Sequence, residues 1–261
     1  MAAHSVAGRS GCRSALPKLL IARGLLGLRG EPGPCALSGL LRLALIGLVF
    51  SAHTAAGQTQ RAEEMIERAL ALSPDTNNGF SLYREFCESC HRARAVGNAR
   101  TATPALAGQT QRYLLKQLAD FAEGDRSGPE MHRAIAPKAL TTLQASRDLA
   151  QYLSSLPNNS SPEVGDGTRL ELGKAIYSAA CSVCHGVSGE GQDDFAVPSL
   201  RGQHYSYILS QVRSLAVGHR YSVPVEVIAT LEDLGFDEIT AVADYISRLP
   251  ASEAQSDLVT D

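Results

Sequence analysis

Cys87, Cys90 and His91 stand together in "CESCH", and Cys181, Cys184 and His185 stand together in "CSVCH". Two thiols three residues apart, followed at once by an imidazole, admit three chemistries. A dithiol at a helix start can cycle through a disulfide, but that motif belongs to a βαβ setting. Two Cys pairs can close a four-thiolate zinc site. Alternatively, the thiols can add to the vinyl groups of haem while the next histidine ligates the iron, the C-x-x-C-H signature of covalent attachment. Each cluster spans about one helical turn, which sets its three groups against one edge of a planar ring.

The clusters lie inside a longer duplication. "GFSLYREFCESCH" (79–91) and "GKAIYSAACSVCH" (173–185) share Gly, Tyr, both Cys and His at an offset of 94 residues. The register continues: Pro104, Leu106, Gly108, Gln109, Tyr113, Gln117, Gly124 and Arg126 match Pro198, Leu200, Gly202, Gln203, Tyr207, Gln211, Gly218 and Arg220. Tyr152 and Tyr245 are 93 apart, so one residue is lost in between. Two copies do not make a solenoid, which needs about three stacked units; this is a domain written twice. A zinc site would tie together two copies that each read as complete and would leave both histidines without a role. Haem attachment uses all six residues.

The elements that must position these groups are helical. "DLAQYLSSL" (148–156) and "ITAVADYISRL" (239–249) place apolar residues three and four apart. Asp237 reads as the N-cap of the latter. Gly79 and Tyr83 are four apart and share a helix face, where Gly admits a second helix and Tyr packs on it. "RAEEMIERALAL" (61–72) predicts a short helix, and "PNNSSPEVGDG" (157–167) predicts an exposed linker. No segment alternates cleanly, so the fold class is all-α, two tandem domains each wrapped round one haem. Trp is absent and aromatics are scarce; haem supplies the core that so small a domain otherwise lacks.

Residues 1–57 hold Arg9, Arg13, Lys18, Arg23, Arg29 and Arg42 against one acid, Glu31. The apolar run "LLRLALIGLVF" (40–50) and small residues follow, the order of a secretory leader. The run is too short for the roughly 20 residues that span a bilayer. Cleavage near Ala56 is expected; a retained leader would leave the protein membrane-associated. The remainder carries 18 basic and 26 acidic residues, a net charge of −8. Such a protein is a poor nucleic-acid ligand and suits basic patches on protein partners. Cys12 and Cys35 leave with the leader, so no structural disulfide is expected.

Each copy resembles a class I cytochrome c domain, and the tandem resembles the di-haem cytochrome c4 family. The residues that carry the likeness are "CESCH", "PALAGQ", "YLLKQL", "GDR" and "DLAQYL", then "CSVCH", "PSLRGQ", "YILSQV", "GHR" and "VADYIS". With the motifs, the resemblance implies a helical lead-in at 58–76, domains at 77–156 and 168–250, and a tail at 251–261. It implies two covalent haem c groups, with Cys87, Cys90, Cys181 and Cys184 as thioethers and His91 and His185 as proximal ligands. The carbonyls of Pro104 and Pro198 should orient those imidazoles. The implied function is periplasmic electron transfer between a respiratory donor and an acceptor such as a terminal oxidase or reductase. The partners are then redox proteins, membrane respiratory complexes among them, with no nucleic acid and no substrate.

Cytochromes c of this kind hold iron between His and Met. The methionines are Met1, Met65 and Met131; Met131 lies 40 residues after His91, where the family places its ligand. His132 is its neighbour and a second candidate. The other copy departs from the pattern, because the matching position is Val225 or Pro224 and no Met follows 131. His219 in "VGHRYSVPVEV" is the nearest imidazole on that loop, either as sixth ligand or as a surface residue of the Gly-x-Arg turn. Tyr221 could cover the haem with its phenol, and His204 belongs with the proximal motif. Two alternatives to a plain carrier stay open: a second haem that binds a small ligand such as CO or NO, as enzyme or sensor, and a docked cytochrome subunit of a larger oxidoreductase.

Overall fold

Helices make up the regular structure. The computed structural model describes residues 62–135, 140, 142–220 and 222–251. The leader, Tyr221 and the tail after Ala251 lie outside the described residues. Helix α1 covers 62–70. The first copy then holds α2 (Thr76–Phe86), α3 (Glu88–His91), α4 (Gln111–Glu123), α5 (Pro129–Ile135) and α6 (Leu143–Ser155). The second holds α7 (Leu170–Ile176), a wide turn Tyr177–Cys181, α8 (Ser182–His185), α9 (Tyr205–Ala216), α10 (Val225–Glu232) and α11 (Phe236–Ser247). Among the described residues the only β pairings are two isolated bridges, Asn98–Thr103 and Gln192–Val197, themselves 94 residues apart.

Caps set the helix starts. Asp75 accepts from the amides of Asn77 and Asn78 and opens α2, and Thr142 accepts from the amide of Ala145 and opens α6. Asp237 is not the cap of α11. The helix begins one residue earlier, and Glu238 Oε2 accepts the Gly235 amide at 2.8 Å. Asp237 lies in the first turn, where its charge favours the helix dipole and pairs with Arg169.

Two helix crossings hold the attachment turns. A Cβ on Gly79 would overlap the Asp148 carbonyl and lie 2.9 Å from Tyr152 Cβ; one on Gly173 would overlap the Ala241 carbonyl and lie 2.9 Å from Tyr245 Cβ. The helices α2 and α6, and α7 and α11, therefore touch backbone to backbone. Tyr83 and Tyr177, both buried, pack on Tyr152 and Tyr245 with ring centroids 5.6 and 5.4 Å apart. The first copy gathers fifteen buried apolar residues, including Ile66 and Ala69 of α1. The second gathers six, around Tyr177, Val242 and Ile246. So thin a core leaves room in the energetics for a large apolar cofactor.

Candidate haem-attachment sites

Each attachment turn is a single turn of helix. The amides of Cys90 and His91 both donate to the Cys87 carbonyl, so thiols and imidazole project from one turn. Tyr83 Oη donates to the Arg92 carbonyl and Tyr177 Oη to the Gly186 carbonyl, which clamps the chain where it leaves each motif. The following loop folds back, with the Gly97 amide on the His91 carbonyl and the Gly191 amide on the His185 carbonyl, both at 2.9 Å. This return brings Pro104 and Pro198 to the rings. His91 Nδ1 lies 3.0 Å from the Pro104 carbonyl, and His185 Nδ1 lies 3.0 Å from the Pro198 carbonyl. Each Nδ1–H donates, so each Nε2 keeps its lone pair. Burial lowers the basicity of both imidazoles, against the opposing pull of the carbonyls. A neutral ring with a bare Nε2 is what iron ligation requires.

The first thiol of each pair does not suit redox cycling. Burial, then the neighbouring Cys90, pushes the Cys87 thiol up to about 12. Burial, then Cys184, pushes Cys181 up to about 11. A reactive dithiol needs the opposite shift. Nor do the pairs converge: among the described residues no three His, Cys, Asp or Glu side chains come together as a metal site.

The distal candidates are placed unequally. Met131 sits on α5, half-buried against the first core. His132 is exposed, its Nδ1 2.8 Å from the Phe121 carbonyl. His219 is exposed in the turn after α9. His204 is buried with both nitrogens engaged: Nδ1 accepts the Glu163 amide at 3.0 Å, so Nε2 donates to the Val96 carbonyl at 2.9 Å.

The polar residues of the repeat register, Gln109, Tyr113, Gln117 and Arg126 with Gln203, Tyr207, Gln211 and Arg220, meet at a buried seam between the copies. Gln203 binds the amide and carbonyl of Ala105 at 2.8 and 3.0 Å. Gln109 binds the amide and carbonyl of Ser199 at 2.7 and 2.9 Å. Ala105 and Ser199 directly follow the two prolines that hold the histidines, so each copy braces the other's proximal loop. Arg126 reaches Tyr207 and Gln211, both at 2.8 Å, and Arg220 reaches Tyr113 and Gln117 at 3.2 and 3.0 Å. The linker joins the seam too. Asn159 is buried, and its Nδ2 donates to the Val96 carbonyl, so 157–167 is not solvated along its whole length. Spacing alone does not reveal this role, although the glutamines, tyrosines and arginines of the seam all stand in the 94-residue register.

The seam also tests the fit to haem. Arg126 and Arg220 are buried and their guanidinium groups hydrogen-bond only to neutral acceptors; Arg126 also lies over the Phe121 ring, and Arg220 Nε has no partner. Asp120, the nearby acid, is paired with Lys116. Burial would raise the Tyr113 phenol, but the charges of Arg220 and Arg126 outweigh it and hold the group below its ordinary value. Buried cations call for anions, and the carboxylates of haem are of that kind. Thiols, neutral imidazoles, a thin core and buried arginines with no directly paired carboxylate all fit the group.

A family model for cytochrome c matches twice, over residues 76–157 and 170–250. The chain belongs to the cytochrome c family. It is a di-haem electron-transfer protein of the cytochrome c4-like kind, with two covalently bound haem c groups. It is 31% identical to cytochrome c4 of Azotobacter vinelandii over 181 residues, 62% of this chain and 84% of the relative. It is 32% identical to the thiosulfate dehydrogenase electron acceptor of Stutzerimonas stutzeri (strain A1501) over 177 residues, 64% and 80% of the two chains. The structure of reduced recombinant cytochrome c4 from Pseudomonas stutzeri matches with a TM-score of 0.61 at 28% identity, covering 68% of this chain and 100% of that one.

Proposed function

We propose that the protein is a periplasmic carrier that passes electrons between a respiratory donor and an acceptor such as a terminal oxidase or reductase. Bound haem supplies iron that alternates between the ferric and ferrous states. The observation that carries the reading is the seam: Gln109 and Gln203 tie the two proximal loops together through buried hydrogen bonds. A carrier needs that rigidity, because two fixed centres exchange electrons with little rearrangement. Cys87, Cys90, Cys181 and Cys184 anchor the two groups, His91 and His185 ligate them, and Met131 closes the first from the far side. The basic, then apolar, then small-residue order of residues 1–57 supports export.

A docked role also has support. Val183, within the second attachment turn, and Val187, just after it, are 77% and 83% exposed, where the first copy has Ser89 and Ala93. Exposed apolar side chains beside a redox centre suit a protein partner, and a relative is named as the electron acceptor of a dehydrogenase. Reductive titration of the full chain tests the carrier reading. Two electrons per chain, taken up and returned reversibly, are expected; a centre that cannot be reoxidised by a protein acceptor refutes it. Release by osmotic shock with a new N-terminus near residue 57 is expected for export, and recovery in the soluble cytoplasmic fraction of lysed spheroplasts refutes it.

A further inference from the structure

The proximal sides of the two copies match, but the distal segments do not. In the first copy α5 carries Met131 against the core. In the second, α10 follows the same Gly-x-Arg turn and precedes the last helix. Its covered positions are Val227, Ile228 and Leu231, and Val225, in register with Met131, is 70% exposed. None of these binds iron.

Several other donors among the described residues of the second copy are spent or distant. No methionine follows Met131. His204 uses both ring nitrogens within the seam. Tyr177 is bound to the Gly186 carbonyl and Tyr207 to Arg126. Lys174, the copy's single lysine, is exposed on α7, the helix that crosses α11. Of the imidazoles His219 remains, and it is exposed. The same segment also holds a buried hydroxyl with no partner, Ser222 Oγ. We infer that the distal residues 222–235 leave the iron bound by His185 open to a small neutral π-acceptor of the CO and NO class. Arg220 turns its guanidinium into the seam, onto Tyr113, Gln117 and Gln211, so an anion placed against Val227, Ile228 and Leu231 of aliphatic α10 would lose its hydration without compensation there, which favours neutrality. The two haems then divide the work: one is closed by Met131 for electron exchange, and the other binds a gas.

This rests on the di-haem reading, so a pyridine haemochrome count is taken on the same sample. The full-length holoprotein, reduced with dithionite, is titrated with CO. Uptake of one CO per chain is expected, with half of the haem absorbance changing. Met131→Ala should raise uptake to two per chain. Electron paramagnetic resonance of the oxidised wild type needs no variant and should show one high-spin and one low-spin haem. Two low-spin signals overturn the inference. So does wild-type protein that takes up no CO, or that takes it up only after His219→Ala. Two haems per chain with no CO uptake sinks the open site alone; fewer than two sinks the di-haem reading with it.

Discussion

Replacing Gln203 with Ala in the second copy should disturb the first haem. The side chain binds both backbone groups of Ala105, and Ala105 is buried. The substitution leaves an amide and a carbonyl without partners. Each such group costs about 1–3 kcal/mol, so the loss is about 4 kcal/mol. For a chain of this size that lowers the melting temperature by about 10 °C. The effect should also cross the seam. Pro104, directly before Ala105, supplies the acceptor for His91 Nδ1. A looser loop weakens that bond, the imidazole becomes a poorer electron donor, and ferric iron is less stabilised. The potential of the first haem should therefore rise, while that of the second stays put. Gln109→Ala should do the reverse through Ser199 and Pro198. Spectroelectrochemistry that resolves the two haems, with thermal melts by circular dichroism, checks both. A potential shift confined to the mutated copy's own haem would refute the bracing argument. So would a melting change under about 2 °C, which corresponds to less than 1 kcal/mol.

Gly79→Ala and Gly173→Ala should each drive a methyl group into a facing carbonyl, at a cost of about 3 kcal/mol; denaturant melts and the yield of haem-loaded protein both report it, and unchanged stability would mean the helices can part freely. Arg92 holds φ 67° and ψ 165°, a region that suits glycine, and Gly186 occupies the matching place. Arg92→Gly should therefore stabilise the protein by about 1 kcal/mol in guanidinium unfolding, and a lower midpoint would count against strain there. Met131→Ala should remove the Met–iron charge-transfer band of the oxidised protein, and a band that persists would exclude Met131 as ligand. Cys181→Ala with Cys184→Ala should leave one covalent haem per chain by pyridine haemochrome assay; a count of two would overturn the assignment of that motif.

The proximal side is legible from residue types because its chemistry dictates spacing. Two thioethers and an imidazole must leave one helical turn, which is the form of Cys87, Cys90 and His91. The Gly79 crossing is legible for a related reason: a four-residue interval fixes a helix face wherever the partner helix lies. The seam is another matter. Gln109 and Gln203 stand out in the repeat register, but their partners lie 90 and 98 residues away, and no local interval encodes that. Asn159 sits among turn formers and reads as solvated. It is buried because Gly202 backs onto it, with a built Cβ only 2.6 Å from the Asn159 carbonyl. The misplaced cap at Asp237 has a local cause: glycine followed by a glutamate three residues on can start a helix as well as aspartate can. The distal ligand of the second copy is legible only as a lack, since a missing methionine names no successor.

The pairing of Gln109 with Ser199 and of Gln203 with Ala105 is what an isologous dimer contact becomes when its two subunits are joined. In such a contact residue i meets j, and j meets i. A single copy bearing Gln109, Tyr113, Gln117 and Arg126 already carries both sides of each bond, and would associate with itself. That the partner is Ala105 in one direction and Ser199 in the other changes nothing, because the glutamines grip backbone. In a homodimer, any change at the position of Met131 would alter both haems together. Fusion removes that constraint: the interface stays symmetric while the far sides of the haems become free to differ, and Val225 is one place where this chain differs.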